Sequence, residues 1–582
     1  MKLVIAEKRS VANAIINAVG KDYTVIALRG HIYEHVAPDE YLPDDIPRNS
    51  KGNKEWRQMD LPIIPQKWRR KLKNDCKAIL DTVSQNLLHA DEVIHAGDAD
   101  REGQLLVDEV LEELGYKRTI TRVWLQSLTS ASIQAAFKMR RPNTDLKSLS
   151  HSAQARSRAD WLLGMNLSRS YILKHNSSKL SVGRVQTPTL AMIVERDLER
   201  ESFEPESYLE VHALVKHRGG ELALQWIPAS TTSKSFDEER RLINKRLADR
   251  IVSSAKGTGI VTNYTELPDF LNPPLPFNLS ELQKLACQKF GMSAANVIGA
   301  CQSLYEAGAI TYPRTNCRYV SSQSMAGIRA IMSDGVESEL CASSSDHAAF
   351  DDHLVTAHSA IMPTEQRPTG LSGDEERIYE LISKSAKALL MPPAHYLNTH
   401  ATIKLNGESW CVNSKRILDK GWTVLSPKQP ETFFPPIQMG DTVEFLNTEI
   451  KQCYSKPPLS YTDGSLIDDM VNIHRRVSDS ASQDILKKSG GLGTEATRAA
   501  IIEELLRKRL IERHDKYLRS TDSGRFLIES VSPELRDPVM TAKWEQKLSK
   551  IVAGEINLDA FQSEVTSFTR EQIAKAFRGY GR

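Results

Sequence analysis

A tyrosine, a proline and an arginine stand together at Tyr312, Pro313 and Arg314, and their order has chemical consequences. Proline fixes its own φ and biases the residue before it toward extended backbone. In such backbone the side chain of Arg314, two positions on, projects to the same side as that of Tyr312. A phenol with a free pKa of about 10 is a weak nucleophile at neutral pH, and a guanidinium beside it favours its phenolate. The same guanidinium can grip a phosphate with two hydrogen bonds while the phenolate attacks it. The plainer alternative is a structural tyrosine at a strand end beside a surface arginine, and the segment by itself favours that.

A second constellation is Asp98-x-Asp100-x-Glu102. In extended chain, alternate residues point the same way, so the three carboxylates are expected to converge. Converging hard oxygens suit Mg²⁺, which takes one or two carboxylates plus water and phosphate oxygen. For Glu102 the competing explanation is that acids favour the first turn of a helix. Glu7 and Lys8 form a third pair of charges.

These groups need elements to carry them. Lys2–Ala6 is a short buried-type strand that delivers Glu7 and Lys8 to its carboxyl end. Ser10 is placed to cap a helix over residues 11–19, which Gly20 closes, and residues 22–28 form a second strand. Glu92–Ala96 is a strand that runs through the acidic loop into a helix over residues 104–114. Ligand sites in open α/β sheets lie beyond the carboxyl ends of strands, where Glu7 and the acidic loop both fall.

Further along, the basic run at residues 67–73 carries Trp68 and reads equally as a phosphate contact or a solvated face. Residues 151–173 read as a helix bearing Arg156, Arg158 and Arg169, with Asp160 available to orient an arginine. A glycine-bearing turn follows, Ser181-Val-Gly-Arg-Val-Gln-Thr-Pro188, opening a helix over residues 189–200. Its backbone N–H groups, with Arg184 and Gln186, suit a phosphate and a base edge, although an ordinary helix entry has the same form. Residues 203–265 and 398–450 both alternate like strands, so one β domain is expected from two separated pieces. Residues 268–276 hold four prolines and read as a hinge. Helices at Leu279–Phe290 and residues 294–307 then lead to Tyr312. His358 precedes a second proline-braced turn, and Thr494 is placed to cap a late helix.

A chain of 582 residues is too long for one core and implies several domains. The net charge of +2 does not announce a nucleic-acid binder, so any such surface must come from local clustering. The seven cysteines contain no CxxC pair, which argues against a zinc ribbon and a secreted disulfide framework. No window has the apolar length of a membrane span, and the amino terminus lacks a signal-peptide pattern. The expectation is a cytoplasmic, multidomain α/β and α+β protein with reduced thiols.

Taken in order, these motifs resemble those of the type IA DNA topoisomerases, most closely the bacterial topoisomerase III branch. Glu7-Lys8 with Asp98-x-Asp100-x-Glu102 looks like the Toprim signature, and Ile310-Thr-Tyr-Pro-Arg314 with Cys317-Arg-Tyr319 looks like the active-site tyrosine segment. The turn from Ser181 to Gln186, the segment from His358 to Thr364, Lys456-Pro-Pro with Tyr461 to Leu466, and Gly493 to Arg498 also match. The resemblance implies an N-terminal Rossmann-like Toprim domain at residues 1–140 and a toroidal catalytic region. That region would comprise a DNA-groove domain (150–205 and 455–582), a discontinuous β arch (206–275 and 390–450) and a mobile domain (276–388) carrying Tyr312. It implies catalytic roles for Tyr312, Glu7, Lys8, Arg314 and His358, and metal binding by Asp98, Asp100, Glu102 and Glu7. DNA contacts are implied for Arg156, Asp160, Arg169, Ser181, Gly183, Arg184, Val185, Gln186 and Thr187. Mg²⁺ is implied, without ATP or zinc, on single-stranded or underwound DNA at the nucleoid, with a helicase or single-strand-binding protein as an expected partner and no membrane. The rival readings are a Toprim-type metal-dependent nuclease or primase and a non-enzymatic single-stranded DNA-binding protein. Asn316 stands where the family often has aspartate, and residues 230–250 sit where a decatenation loop could be.

Overall fold

Short apolar strands bounded by charge build a parallel sheet at the amino end. Its order is Tyr23–Ala27, Lys2–Ala6, Glu92–Ala96, Ile120–Arg122 and Arg141–Pro142, with only the last strand antiparallel. The structure, a computed structural model, describes residues 1–50, 52–177, 180–321, 328, 347–355, 358–425 and 435–578. The strand Lys2–Ala6 is buried on both faces, and its side chains divide between two cores as the period of two requires. Val4 and Ala6 pack with Val11 and Ile15 of the helix Arg9–Val19. Leu3 and Ile5 pack with Val107 and Val110 of the helix Arg101–Glu113. Helices on both faces make the sheet doubly wound, and both acidic segments leave it at the carboxyl ends of neighbouring strands.

Ser10 does not cap the first helix. That helix starts at Arg9, and Lys8 holds the N-cap position, where its ammonium has no acceptor to offer the helix and donates to Asp98 instead. Thr494 also falls short as a cap: the late helix begins at Arg498, and the hydroxyls of Thr494 and Thr497 bond each other in the turn before it.

The two strand-rich stretches close into one six-stranded barrel. Around it the order is Gly257–Leu271, Ala394–Leu405, Glu408–Asp419, Gly220–Ile227, Ser207–His217 and Thr442–Tyr454. Inward residues such as Val211, Ala213, Val215, Ile403 and Trp410 form its core. The segment 230–250 is packed onto this barrel: Phe236 stacks on Trp226, and Leu242 is buried. Ala248 and Ile251 of the helix Lys245–Ser254 join the same core.

Strands Gly257–Leu271 and Ala394–Leu405 pair antiparallel out to Leu271 and Ala394, and between those two residues the chain leaves the barrel. The excursion carries the helices Leu279–Phe290, Ala294–Glu306 and Gly373–Ala388 and the Tyr312 segment. Its apolar side merges with the sheet domain: Leu304, Ile310 and Tyr312 share a core with Val123, Leu125 and Leu128. The remaining helices, among them Lys147–His175, Gln186–Glu201, Pro538–Val552 and Leu558–Arg578, bring the middle and the end of the chain together around one core. Among the described residues, no helix is long and apolar enough to cross a membrane.

Candidate active site and adjoining cleft

Tyr312 reaches the acidic loop. Its hydroxyl donates to Asp100 Oδ2 at 2.8 Å, and its backbone N–H donates to the Gln126 carbonyl at 3.1 Å. The ring is 1% exposed and lies between two others, Tyr305 at 5.4 Å and His358 at 4.7 Å between centroids. His358 continues the stack onto Trp124 at 6.0 Å. Trp124 in turn lies under the Arg122 guanidinium at 4.9 Å.

The expectation of a lowered phenol pKa fails here. Burial, with the Asp100 and Asp98 carboxylates next to it, pushes Tyr312 well above its ordinary value, and the opposing pull of Arg314 is smaller. With the pieces closed together, the phenol holds its proton and gives its hydrogen bond to Asp100. Burial opposes the charge on Asp100, yet the Gly103 amide, the Tyr312 hydroxyl, Arg314 and His358 together hold its carboxyl below the usual range.

Asp100 also explains why the three acids do not converge by alternation. It is the N-cap of the helix Arg101–Glu113, accepting from Gly103 N at 2.7 Å, so the chain turns helical where extended backbone was expected. Glu102 therefore sits in the first turn, half-exposed, with its carboxylate 3.7 Å from Arg156. Asp98 takes the inner position, 2.5 Å from Lys8 Nζ, and Lys8 lies 3.3 Å from Glu7. Burial and then Asp98 raise the Glu7 pKa against the pull of Lys8.

The loop is held tightly. Arg122, fully buried, donates to the Asp98 carbonyl at 2.7 Å and to Gln104 at 2.9 Å. A Cβ on Gly97 would stand 2.2 Å from the Gly103 carbonyl oxygen, and one on Gly103 would stand 2.4 Å from that of Asp98. Both glycines are required by this close approach of backbone to backbone.

Among the described residues, no three His, Cys, Asp or Glu side chains are already gathered as a metal cage. Lys8 and Tyr312 each hold one carboxylate oxygen of the loop. Asp98 Oδ1, however, is buried without a hydrogen-bond partner, and the Asp98 and Asp100 charges are close enough to raise Glu7. An oxygen-only set offering one or two carboxylates fits Mg²⁺, which keeps its remaining positions for water and phosphate. Two nitrogens around the phenol are also uncommitted: Arg314 Nε and His358 Nδ1 are buried without partners, and burial lowers the His358 pKa below its ordinary value.

Beyond Arg156 a cleft of about 690 Å³ opens along the helix Lys147–His175. Of the DNA contacts implied by the resemblance, Arg156, Asp160, Arg169, Ser181, Gly183, Arg184, Val185 and Gln186 line it, while Thr187 does not. Thr187 is buried, and its hydroxyl accepts from Gly183 N at 3.1 Å, shaping the turn. Arg184 is an ion-paired strut: it donates to Asp160 and to Glu545, each at 2.9 Å. Arg169 is tied to Asp39 at 2.6 Å. Ser181 and Gln186 both receive Lys508 Nζ, at 2.6 and 3.2 Å. Trp68 of the basic run packs against Trp161 and His35.

Sequence reasoning missed Glu545, which binds Arg184 and Arg101, and Lys508 and Trp56, which help line the cleft. It also missed Arg122 and Gln126, which hold the acidic loop and the tyrosine backbone. The only available signal was indirect: each of the four polar residues could be suspected as a partner for a buried charge.

A family profile described as DNA topoisomerase matches residues 145–563, and one described as Toprim domain matches residues 2–128. DNA topoisomerase 3 of Vibrio cholerae is 36% identical, over 94% of this chain and 90% of that protein. Its namesake in Salmonella typhimurium is 34% identical over 99% and 94%, and that of Bacillus subtilis 30% over 98% and 81%. Among solved structures, full-length topoisomerase I of Thermotoga maritima shares the fold with a TM-score of 0.76, covering 99% of this chain and 91% of that one at 21% identity.

Proposed function

This chain belongs to the type IA DNA topoisomerases, and on that premise we propose a reaction centred on Tyr312. The observation that carries the proposal is the Tyr312 hydroxyl, 2.8 Å from Asp100, at a junction where Arg314 Nε and His358 Nδ1 lack partners. The Tyr312 oxygen attacks a phosphodiester of single-stranded DNA. A phenol–phosphorus bond forms and the bond to the 3′-oxygen breaks, leaving a 5′-phosphotyrosine and a 3′-hydroxyl.

The phenol proton departs along the hydrogen bond to Asp100. Glu7, whose affinity for a proton is raised by burial and by Asp98, gives a proton to the departing 3′-oxygen and takes it back on resealing. Arg314, His358 and Lys8 supply donors to the phosphoryl oxygens as charge develops there. One ester replaces another, so resealing needs no ATP.

The Toprim match implies a divalent metal, which we assign to Mg²⁺ held by Asp98 with Asp100, leaving Glu7 beside them to carry the proton. When bound it neutralises phosphate charge and positions the strand. Glu102, turned to Arg156, links this centre to the cleft, which we read as the path of the single strand. Zinc has no part in this reading. The cut ends separate when the Tyr312 segment swings from the sheet domain, a second strand passes, and the result is relaxation of negative supercoils and decatenation.

The test is denaturant quenching during incubation with a labelled single-stranded oligonucleotide. A covalent protein–DNA adduct with the label on the 5′-phosphate side is expected. Its absence at every Mg²⁺ concentration would remove the proposal, and cleavage without an adduct would favour a metal-dependent nuclease.

A further inference from the structure

The helix Asp463–Val471 begins inside the segment from Tyr461 to Leu466, a motif to which the reaction above assigns nothing. Its apolar side, Leu466, Ile467 and Met470, belongs to the core made by the middle and the end of the chain, and Ala294 of the excursion is buried in that same core. Across this contact the backbones nearly touch. A Cβ on Gly464 would stand 2.9 Å from Cys287 Cβ and 3.0 Å from Lys284 Cα, both on the excursion's helix Leu279–Phe290. Asp463 is buried beside it. Its Oδ2 accepts from the Ala294 backbone N–H at 2.9 Å, and its two oxygens accept from Arg513 at 2.6 and 3.2 Å. Ala294 is the first residue of the helix Ala294–Glu306. The first-turn N–H groups of a helix have no partner within it and carry the positive end of its dipole, so a carboxylate is the group that suits them. Arg513 thus fixes the carboxylate, and the carboxylate fixes the end of a helix that belongs to the other body.

We propose that Asp463 is a positioning residue for the Tyr312 reaction: its carboxylate seats the amino end of the helix Ala294–Glu306 and so sets where Tyr312 stands over Asp100. This rests on the reading of Tyr312 as the nucleophile. The helix carries the position because its far end packs on that residue. Leu304 and Tyr305 share a core with Tyr312, and the Tyr305 ring lies 5.4 Å from the Tyr312 ring. From Ala294 to Tyr305 is about 16 Å along the helix axis, at 1.5 Å per residue. Asp463 does not line the cleft, so its effect on the strand passes through the excursion alone. A second tie, Lys284 Nζ to Asp468 at 3.0 Å, joins the same two helices. Each opening of the excursion releases the Ala294 bond, and each closing remakes it before the phenol meets Asp100 in register. Reacting atoms displaced by about 1 Å react up to a hundredfold more slowly, so a seat this far from the phenol still sets the rate.

The experiment follows adduct formation on a labelled single-stranded oligonucleotide by rapid denaturant quenching, in the wild-type chain, Asp463→Asn and Gly464→Ala. The hydrogen-bond partners of the Asp463 oxygens are donors, so asparagine loses the charge and turns an N–H toward one of them. Gly464→Ala keeps the carboxylate and sets a methyl against the helix Leu279–Phe290, lifting the excursion from the same seat. In both variants the approach to the cleavage equilibrium should slow about tenfold or more, the scale of one hydrogen bond to a charged group. The half-saturating oligonucleotide concentration should stay within about twofold of wild type. The adduct reached at equilibrium should also be unchanged, because cutting and resealing both need the seated tyrosine. A chain damaged only in folding would instead form less adduct at the wild-type rate. That result, or slowing matched by a raised half-saturation, overturns the assignment. No adduct from the wild-type chain removes the function reading as well, whereas variants that reach full adduct at the wild-type rate remove only this one.

Discussion

The tyrosine junction and the cleft are both built from buried charge, and they differ in what bridges it. In the cleft, Arg184 is shared between Asp160 and Glu545, and Glu545 also binds Arg101. Burial opposes the Glu545 charge, yet Arg184, Arg101 and Arg156 hold its carboxyl far below the ordinary range. Arg184 Nη2 and Arg169 Nη1 remain unpartnered there, but each of those side chains is anchored by a carboxylate; at the junction Asp98 Oδ1, Arg314 Nε and His358 Nδ1 are left without partners, and Arg314 has no carboxylate ion pair among the described residues. Contacts between the two pieces there include one backbone hydrogen bond, one phenol–carboxylate bond and a stack of rings over a shared apolar core. A surface whose arginines are braced by carboxylates of the same chain keeps its shape whether or not ligand is bound. A surface with uncommitted donors and acceptors is completed by something from outside.

The largest effect should come from Tyr312→Phe, which removes only the attacking oxygen and its bond to Asp100. Adduct formation and relaxation should both be lost, while oligonucleotide affinity stays within about twofold; relaxation by the variant would break the contrast at once. Next is Glu545→Ala. It leaves Arg184 and Arg101 facing each other without their shared carboxylate, at a cost of about 3–5 kcal/mol by the precedent of broken buried pairs. Thermal unfolding should shift down by several degrees. If the shift is negligible, the cleft is not the ion-paired scaffold described above.

The double change Asp98→Asn and Asp100→Asn should raise the Mg²⁺ concentration needed for turnover by about ten- to a hundredfold, at least what loss of supporting groups around a metal costs. An unchanged magnesium titration would place the metal elsewhere. The smallest effect concerns Glu7. Because its folded pKa is raised, the protonated acid persists to higher pH than an ordinary glutamate, and cleavage should fall as pH rises through that raised value. Glu7→Gln should be slow but flat across the same range, and a wild-type profile that rises there would reverse the assigned role.

Legibility followed the range of the interaction. Lys2–Ala6 and Glu92–Ala96 could be read to the residue, because a short apolar run bounded by charge is a local signal. The split barrel was visible in its alternation, and the lining of the cleft in the clustering of Arg156, Arg169 and Arg184. Glu545 was invisible because its partner Arg184 is 361 positions away, and nothing in a polar helix face marks one glutamate as the counterion. The phenol pKa went the wrong way for a related reason. Arg314 is next to Tyr312 in the chain, whereas Asp100, which outweighs it, is 212 positions off. The acidic triplet misled through a competition between periodicities, since capping by Asp100 converted a period of two into a helical turn at the third acid.

The pairing of Leu271 with Ala394 has a mechanical consequence. The whole excursion that bears Tyr312 is joined covalently to the barrel through two neighbouring strand ends, side by side, as a door is hung on a single post. A body attached at one point can rotate about it, whereas translation away from it would have to stretch both strands of a hydrogen-bonded ladder together. The opening proposed above would therefore carry the tyrosine along an arc, and each return along it would bring the oxygen back to the same place.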